Sequence, residues 1–169
     1  EPSGELNVRG SREGFVEVIR RNMALIRRRI KSPTLVFEMM VMGDRSNTDI
    51  CLCYLSDKVS PKLLEDVKKR LKTVKLNTIL DSGYLQPFFE GSGGWFFSEC
   101  GTCERPDSFA AKLYEGRVGI LVDGTPFALT VPYLFIENFQ TLDDYTQKPF
   151  YALFIRIVRL AAYFITLFL

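Results

Sequence analysis

Apolar residues recur along the chain with two different periods, and those periods lay out most of its elements. Phe15, Ile19, Met23, Ile26 and Ile30 fall at helical spacing. They predict a first helix capped by Ser11, with Glu13 in its first turn and Arg27, Arg28, Arg29 and Lys31 in its last. Ser32-Pro33 stops it. "TLVFEMMVM" and "TDICLCYL" then read as a β-hairpin around a loop with Gly43, Asp44 and Asn47. The second of these strands is apolar on both faces, which predicts a central position. Ser60 and Pro61 open a second helix at N-cap and N1. Leu64, Val67 and Leu71 line it, and Lys68, Lys69 and Arg70 close it.

A short strand is expected over Leu76 to Leu80, ended by Asp81-Ser82-Gly83. "YLQPFFEGSGGWFF" reads as a short helix followed by an exposed loop. Pro106 and Asp107 start a third helix, and Gly116 fits its C-cap. Val118, Ile120 and Val122 alternate, Asp123-Gly124 makes a turn, and Phe127, Leu129 and Val131 alternate on the way back. Pro126 belongs at a strand start or an edge. The fold class expected is α+β, a mixed sheet with helices packed on it. Residues 1–10 read as a polar linker, 11–132 as the folded unit, 133–148 as an amphipathic connector and 149–169 as a helix. The order helix, hairpin, helix, strand also occurs in small ring-building modules, a likeness of fold alone.

Composition narrows the function classes. The chain has 169 residues, a net charge of +2 and no histidine. One domain with an attached segment fits that length, and histidine's usual part in acid–base chemistry and zinc binding is missing. Arg27 to Arg29 complement a helix end and come with no aromatic platform for stacking bases, so no nucleic-acid partner is expected. The glycines near Trp95 precede no Gly-Lys-Ser/Thr and make no phosphate cradle.

The cysteines form two pairs. Alternation places Cys51 and Cys53 on one strand face, where a thiol packs as a small hydrophobe. Cys100-Gly-Thr-Cys103 has the CxxC form, but a zinc site would need all four to converge, and the first pair has strand spacing. No metal and no cofactor are expected, and reduced cytoplasmic thiols are. Asp81, Asp107, Asp123, Asp143 and Asp144 lack a paired base, and all but Asp81 suit turns or helix starts. The chain does not read as an enzyme.

The end of the sequence is different in character. After Pro149 it is apolar except for Arg156 and Arg159, and after Arg159 the apolar residues go all round the helix. A membrane span takes about 20 apolar residues. The segment reads as a truncated first span, flanked by Lys148, Arg156 and Arg159, with the folded unit on the cytoplasmic side. An interfacial amphipathic anchor is the alternative.

Four long stretches carry a resemblance: "VRGSREGFVEVIRRNMALIRRRIKSPTL", "ILDSGYL", "ERPDSFAAKLYEGRVGILVDGTPF" and "FQTLDDYTQ". They resemble the A subunit of the GerA-type spore germinant receptors. The likeness runs from about Val8 to the end, with Cys103 and Thr146 departing from the usual residues. It implies the second of two cytoplasmic subdomains plus the start of the first membrane span. It also implies B and C subunits as partners, other A subunits in a homo-oligomer, membrane lipid, and a place in the inner spore membrane facing the spore core. The assembly would be a channel releasing cations when nutrients bind. Under that reading Gly116, Asp123, Gly124 and Pro126 shape a rigid hairpin, and Phe139 and Tyr145 belong to the connector, where Phe139 docks it on the domain. Direct germinant binding by this unit, or a membrane-anchored interaction domain of another role, are the alternatives.

Overall fold

The computed structural model describes residues 11–90, 99–134, 137 and 149–168. Its elements run α1 (Ile19–Arg29), β1 (Leu35–Met42), β2 (Thr48–Leu55), α2 (Pro61–Thr73), α3 (Gln86–Phe89), β3 (Gly101–Cys103), α4 (Pro106–Tyr114), β4 (Val118–Val122), β5 (Ala128–Val131) and α5 (Pro149–Phe168). A 3₁₀ turn at Ser82–Tyr84 precedes α3.

The five strands form one sheet in the order β1-β2-β4-β5-β3. Every neighbouring pair is antiparallel, which corrects the expectation of a mixed sheet. The reason lies in the connections. Two tight hairpins reverse β1 into β2 and β4 into β5, and the segments carrying α2 and α4 return the chain to the end that keeps the alternation.

Helices cover both faces, which explains why β4 and the Ile50–Leu55 part of β2 are buried throughout. On one face Phe15, Ile19, Ile26 and Ile30 meet Phe109 and Leu113 of α4 over Cys51, Cys53 and Leu121. On the other, Val67 and Leu71 of α2 join Ile79, Leu85 and Phe89 over Ile50, Leu52, Ile120 and Leu129. Phe15 and Phe109 meet edge to face, with ring centroids 5.4 Å apart.

Two sequence expectations shift. α1 begins at Ile19, not beside Ser11. The Ser11 hydroxyl instead accepts from the Glu13 N–H at 3.3 Å and from Arg29 at 2.8 Å. The Asn22 side chain brackets Val16, accepting its N–H and donating to its carbonyl, and so holds the chain extended ahead of the helix. Residues 76–80 form no strand. Their backbone bonds the loop between β1 and β2: Arg45 N–H donates to Asn77 O at 2.8 Å, and Thr48 Oγ1 donates to Ile79 O at 2.6 Å. The additional strand is β3, inside the CxxC stretch.

α2 starts at Pro61 with Ser60 as N-cap, and α4 starts at Pro106, as the sequence indicates. α4 closes in a Schellman motif: Gly116 N–H donates to Leu113 O, and Arg117 N–H donates to Lys112 O. Gly116 sits at φ +87, where its Cβ would meet Lys58 O at 2.7 Å.

α5 forms over the apolar tail. Leu153, Phe154, Ile157, Val158 and Ile165 are exposed on adjacent rows of one side, while Arg156, Arg159 and Tyr163 are half-buried. Among the described residues no helix is long and apolar enough to cross a membrane. The linker over 1–10, the glycine loop near Trp95, Phe139, Tyr145 and most of the connector lie outside the described residues.

Candidate functional site

β4 joins two poles of the domain, and the residues of interest sit at its two ends. All five of its residues are buried. At its C-terminal end is the Asp123-Gly124 turn. Asp123 N–H donates to Asp49 O at 2.9 Å, which ties the turn to β2. Asp123 Oδ1 accepts the N–H of Ile19 at 2.9 Å. Gly124 N–H donates to Glu17 O at 2.8 Å. The first turn of α1 is therefore capped by a carboxylate 104 residues away, in place of a local side-chain cap. Gly124 has φ +86, as the turn requires. Pro126 falls just before β5, and Thr125 Oγ1 accepts the N–H of Phe127 at 3.2 Å.

The other end of β4 is where the chain leaves the sheet. Arg117 immediately precedes β4. Val118 pairs with Val131, so Arg117 lies opposite Pro132, whose carbonyl accepts from Arg117 Nη1 at 3.3 Å. Nη1 also bonds the Glu137 carboxylate, and Nη2 meets Glu115 at 2.6 Å. The Arg117 and Glu137 side chains are 10% and 12% exposed. Lys112 of α4 adds its ammonium to Glu137 at 3.4 Å and lies 5.3 Å from the centre of the Tyr133 ring. Tyr133 lies against Gly101, where any Cβ would stand 2.2 Å from its ring. Leu134 N–H donates to Glu137 Oε1 at 2.8 Å. Together Arg117, Lys112 and Glu137 clamp the first residues of the connector to the domain.

Burial alone would raise the Glu137 carboxyl. The Leu134 N–H, the Arg117 guanidinium and the Lys112 charge outweigh that and hold it below its ordinary value of 4.5. A carboxyl whose folded value is depressed contributes stability above 4.5 that is lost as pH falls toward the folded value. Melting temperatures followed from neutral pH to about pH 3 should therefore drop more steeply for the parent chain than for Glu137→Gln. Parallel curves would show that Glu137 takes no part in the acid response.

The remaining sequence candidates have structural partners. Asp81 accepts Gly83 N–H at 3.3 Å and caps the 3₁₀ turn. Asp107 holds the fully buried Arg105, with Nε–Oδ1 at 3.0 Å. Burial would raise its carboxyl, but the Arg105 bond and charge pull it lower. Asp143 and Asp144 lie outside the described residues. Cys51 and Cys53 share one face with their sulfurs 3.9 Å apart, as alternation predicts. Cys103 packs in that same core, whereas Cys100 packs in the core of the opposite face. A spacing of three in an extended chain splits the CxxC pair across the sheet.

The sequence candidates thus divide between two poles: Asp123, Gly124 and Pro126 at one, Gly116 at the other. The sequence reading missed Arg117, Lys112, Tyr133 and Glu137. A two-residue turn at Asp123-Gly124 would set Arg117 opposite Thr130, whereas the observed register, Val118 with Val131, sets it opposite Pro132.

The profile of the Bacillus/Clostridium GerA spore germination proteins matches residues 1–169. The chain belongs to the GerA family of spore germination proteins. It is 42% identical over 167 residues to spore germination protein KA of Bacillus subtilis, covering 99% of this chain and 31% of that protein. Spore germination protein B1 of the same organism is 39% identical over 169 residues, covering 100% and 35%. The chain thus spans about a third of the length of the curated relatives it matches. A crystal structure of the N-terminal domain of the A subunit of the Bacillus megaterium spore germinant receptor GerK3 superposes with a TM-score of 0.58. That match is 41% identical and covers 73% of this chain and 98% of that one.

Proposed function

We propose that this chain is an assembly and signal-coupling domain of a germinant-receptor A subunit, within a nutrient-gated membrane channel that triggers germination. One observation carries the reading: β4 starts at the arginine that grips the connector and ends at the turn that caps α1. A displacement of α1 moves the turn. Buried along its whole length and bonded on both sides, β4 passes that displacement to Arg117 as a rigid element, and Glu137 passes it to the connector. Phe139 and Tyr145 are proposed as further docking points along the connector. α5 is the start of the first span, its exposed apolar rows toward lipid, in the inner spore membrane with the globular part on the spore-core side. B and C subunits and other A subunits are the partners, with germinant bound chiefly elsewhere in the assembly.

A ligand-binding reading has in its favour an open cleft of about 330 Å³ between the segment before α1 and α1 itself, lined by Arg12, Glu13, Val16, Arg21 and Leu25. Arg12 and Arg21 are exposed there, which gives a ligand weak purchase.

The test is Glu137→Gln in a complete receptor. The amide keeps the acceptor for Leu134 N–H and drops the charge that Arg117 and Lys112 hold. Normal subunit abundance in spores with slowed cation release on germinant addition is expected. Normal abundance with unchanged release would show that the clamp is not in the coupling path.

A further inference from the structure

The two thiols of β2 belong to neither pole. Cys51 and Cys53 are fully buried on the sheet face that α1 and α4 cover. Their sulfurs lie 3.9 Å apart. Each thiol also points at a carbonyl of its own strand, Cys51 Sγ at Leu52 O at 3.6 Å and Cys53 Sγ at Cys51 O at 3.8 Å. The ladders on either side fix the spacing of the pair. Cys51 pairs with Met39 of β1 and Leu121 of β4, and Cys53 pairs with Phe37 and Gly119.

Three chemistries are open to two neighbouring thiols, and geometry separates them. A disulfide needs β carbons about 3.8 Å apart. Residues two apart on one strand face stand about 6.6 Å apart, and a strand bonded on both sides cannot pucker to close that gap. A structural zinc site needs four ligands. Among the described residues no group of three or more Cys, His, Asp or Glu is placed to hold a metal ion. A metal held by these two sulfurs alone would also bring charge into an apolar core. Burial pushes the Cys53 thiol well above its ordinary value of 9.0, which keeps it a neutral S–H. The third chemistry is a bridge of one atom. An atom bonded to both sulfurs at about 2.3 Å, the zinc–thiolate length, holds them about 3.4–4.0 Å apart for bond angles of about 95–120°. The observed separation of 3.9 Å falls in that range.

We propose that Cys51 and Cys53 form a dithiol site for trivalent arsenicals of the arsenous acid type. As(OH)3 is uncharged near neutral pH, so it enters an apolar layer without a buried charge. Its reaction with the pair forms two As–S bonds and breaks two As–O bonds. Each S–H proton leaves with one hydroxyl as water. The product, a dithioarsenite with one remaining As–OH, is neutral. Arsenic stays trivalent and sulfur stays at the thiol level, so no oxidant or reductant is consumed. The second As–S bond forms within the site, which gives the pair its advantage over single thiols. Entry waits on local opening of the helices above the pair, so uptake is slow and follows that opening.

The fold denies the same chemistry to the CxxC stretch. Cys103 packs with Cys51 and Cys53, but Cys100 packs in the core on the opposite face, so no single atom bridges the two. Unfolded, Cys100 and Cys103 regain the freedom to close on one atom. The folded chain therefore has one dithiol site, in the strand-spaced pair, and the unfolded chain has two.

The experiment is incubation of the folded 169-residue chain with sodium arsenite in mild detergent, with a monothiol in excess, followed by desalting and intact mass measurement. One arsenic per folded chain is expected, and two in guanidinium. Cys51→Ala and Cys53→Ala should each lower the arsenic retained by the folded chain at least about a hundred-fold, the low end of the gain from a second linked contact. Cys100→Ala with Cys103→Ala should leave it unchanged. Acid quench and peptic mapping of the parent need no variant, and should place the arsenic on the peptide that carries Cys51 and Cys53. A folded parent that retains no arsenic would overturn the site. So would arsenic mapped to the peptide with Cys100 and Cys103, or equal retention by the parent and a folded Cys51→Ala.

Discussion

Replacing Arg117 with alanine should cost the domain about 3–5 kcal/mol, the range for removing one partner of a buried ion pair. The guanidinium is 10% exposed and serves Pro132 O, Glu115 and Glu137 at once. Without it the Glu137 carboxylate stays buried with Lys112, at 3.4 Å, as its remaining cation among the described residues. At about 2–4 °C per kcal/mol for a chain of this size, thermal unfolding reads the loss directly. The double variant Arg117→Met with Glu137→Met should recover most of it, since apolar groups of similar volume often replace a buried pair at little cost. A loss below about 1 kcal/mol for Arg117→Ala would place the pair among solvent-screened surface bridges and remove the clamp's mechanical role.

What the sequence made legible follows from how local each signal is. Ser60-Pro61, Pro106-Asp107 and Asp123-Gly124 are signals a few residues long, and α2, α4 and the β4–β5 turn stand where they point. The start of α1 could not be read this way. The group that caps it, Asp123, is supplied by the tertiary fold, so the nearby Ser11 and Glu13 mimic a start that the chain does not use. The third strand was misplaced for a related reason. Ile79 has the burial of a strand residue, but its neighbours bond a loop, whereas β3 is too short to show a period. Strand direction is a property of the connections, which is why a mixed sheet was expected and an antiparallel one found. Of the candidate site, the turn was visible in Asp123-Gly124. The clamp was not, because Arg117 and Glu137 are 20 residues apart and meet only through the hairpin register.

Gly124→Val should destabilise the domain by about 1–3 kcal/mol, the cost of forcing a β-branched residue into a left-handed backbone conformation. The cause can be isolated. Among the described residues a Cβ at Gly124 would meet only Leu80 O, at 3.9 Å, so the obstacle there is conformation. Asn tolerates positive φ, so Gly124→Asn should keep most of the stability that Val loses. Gly116 provides the contrast. Its φ of +87 is nearly the same, yet a Cβ there stands 2.7 Å from the Lys58 carbonyl. Gly116→Asn should therefore be the more damaging of the two Asn variants, and equal losses in thermal unfolding would refute the steric account. The same Gly124→Val protein tests whether the poles are joined. Straining the turn should release the Ile19 and Gly124 amides, whose bonds to Asp123 and Glu17 depend on it. If β4 is rigid, hydrogen exchange should also quicken at Leu134, whose N–H is held by Glu137 at the far end. Quickened exchange at Ile19 with Leu134 unchanged would show two independent poles, and the coupling path would have to run outside β4.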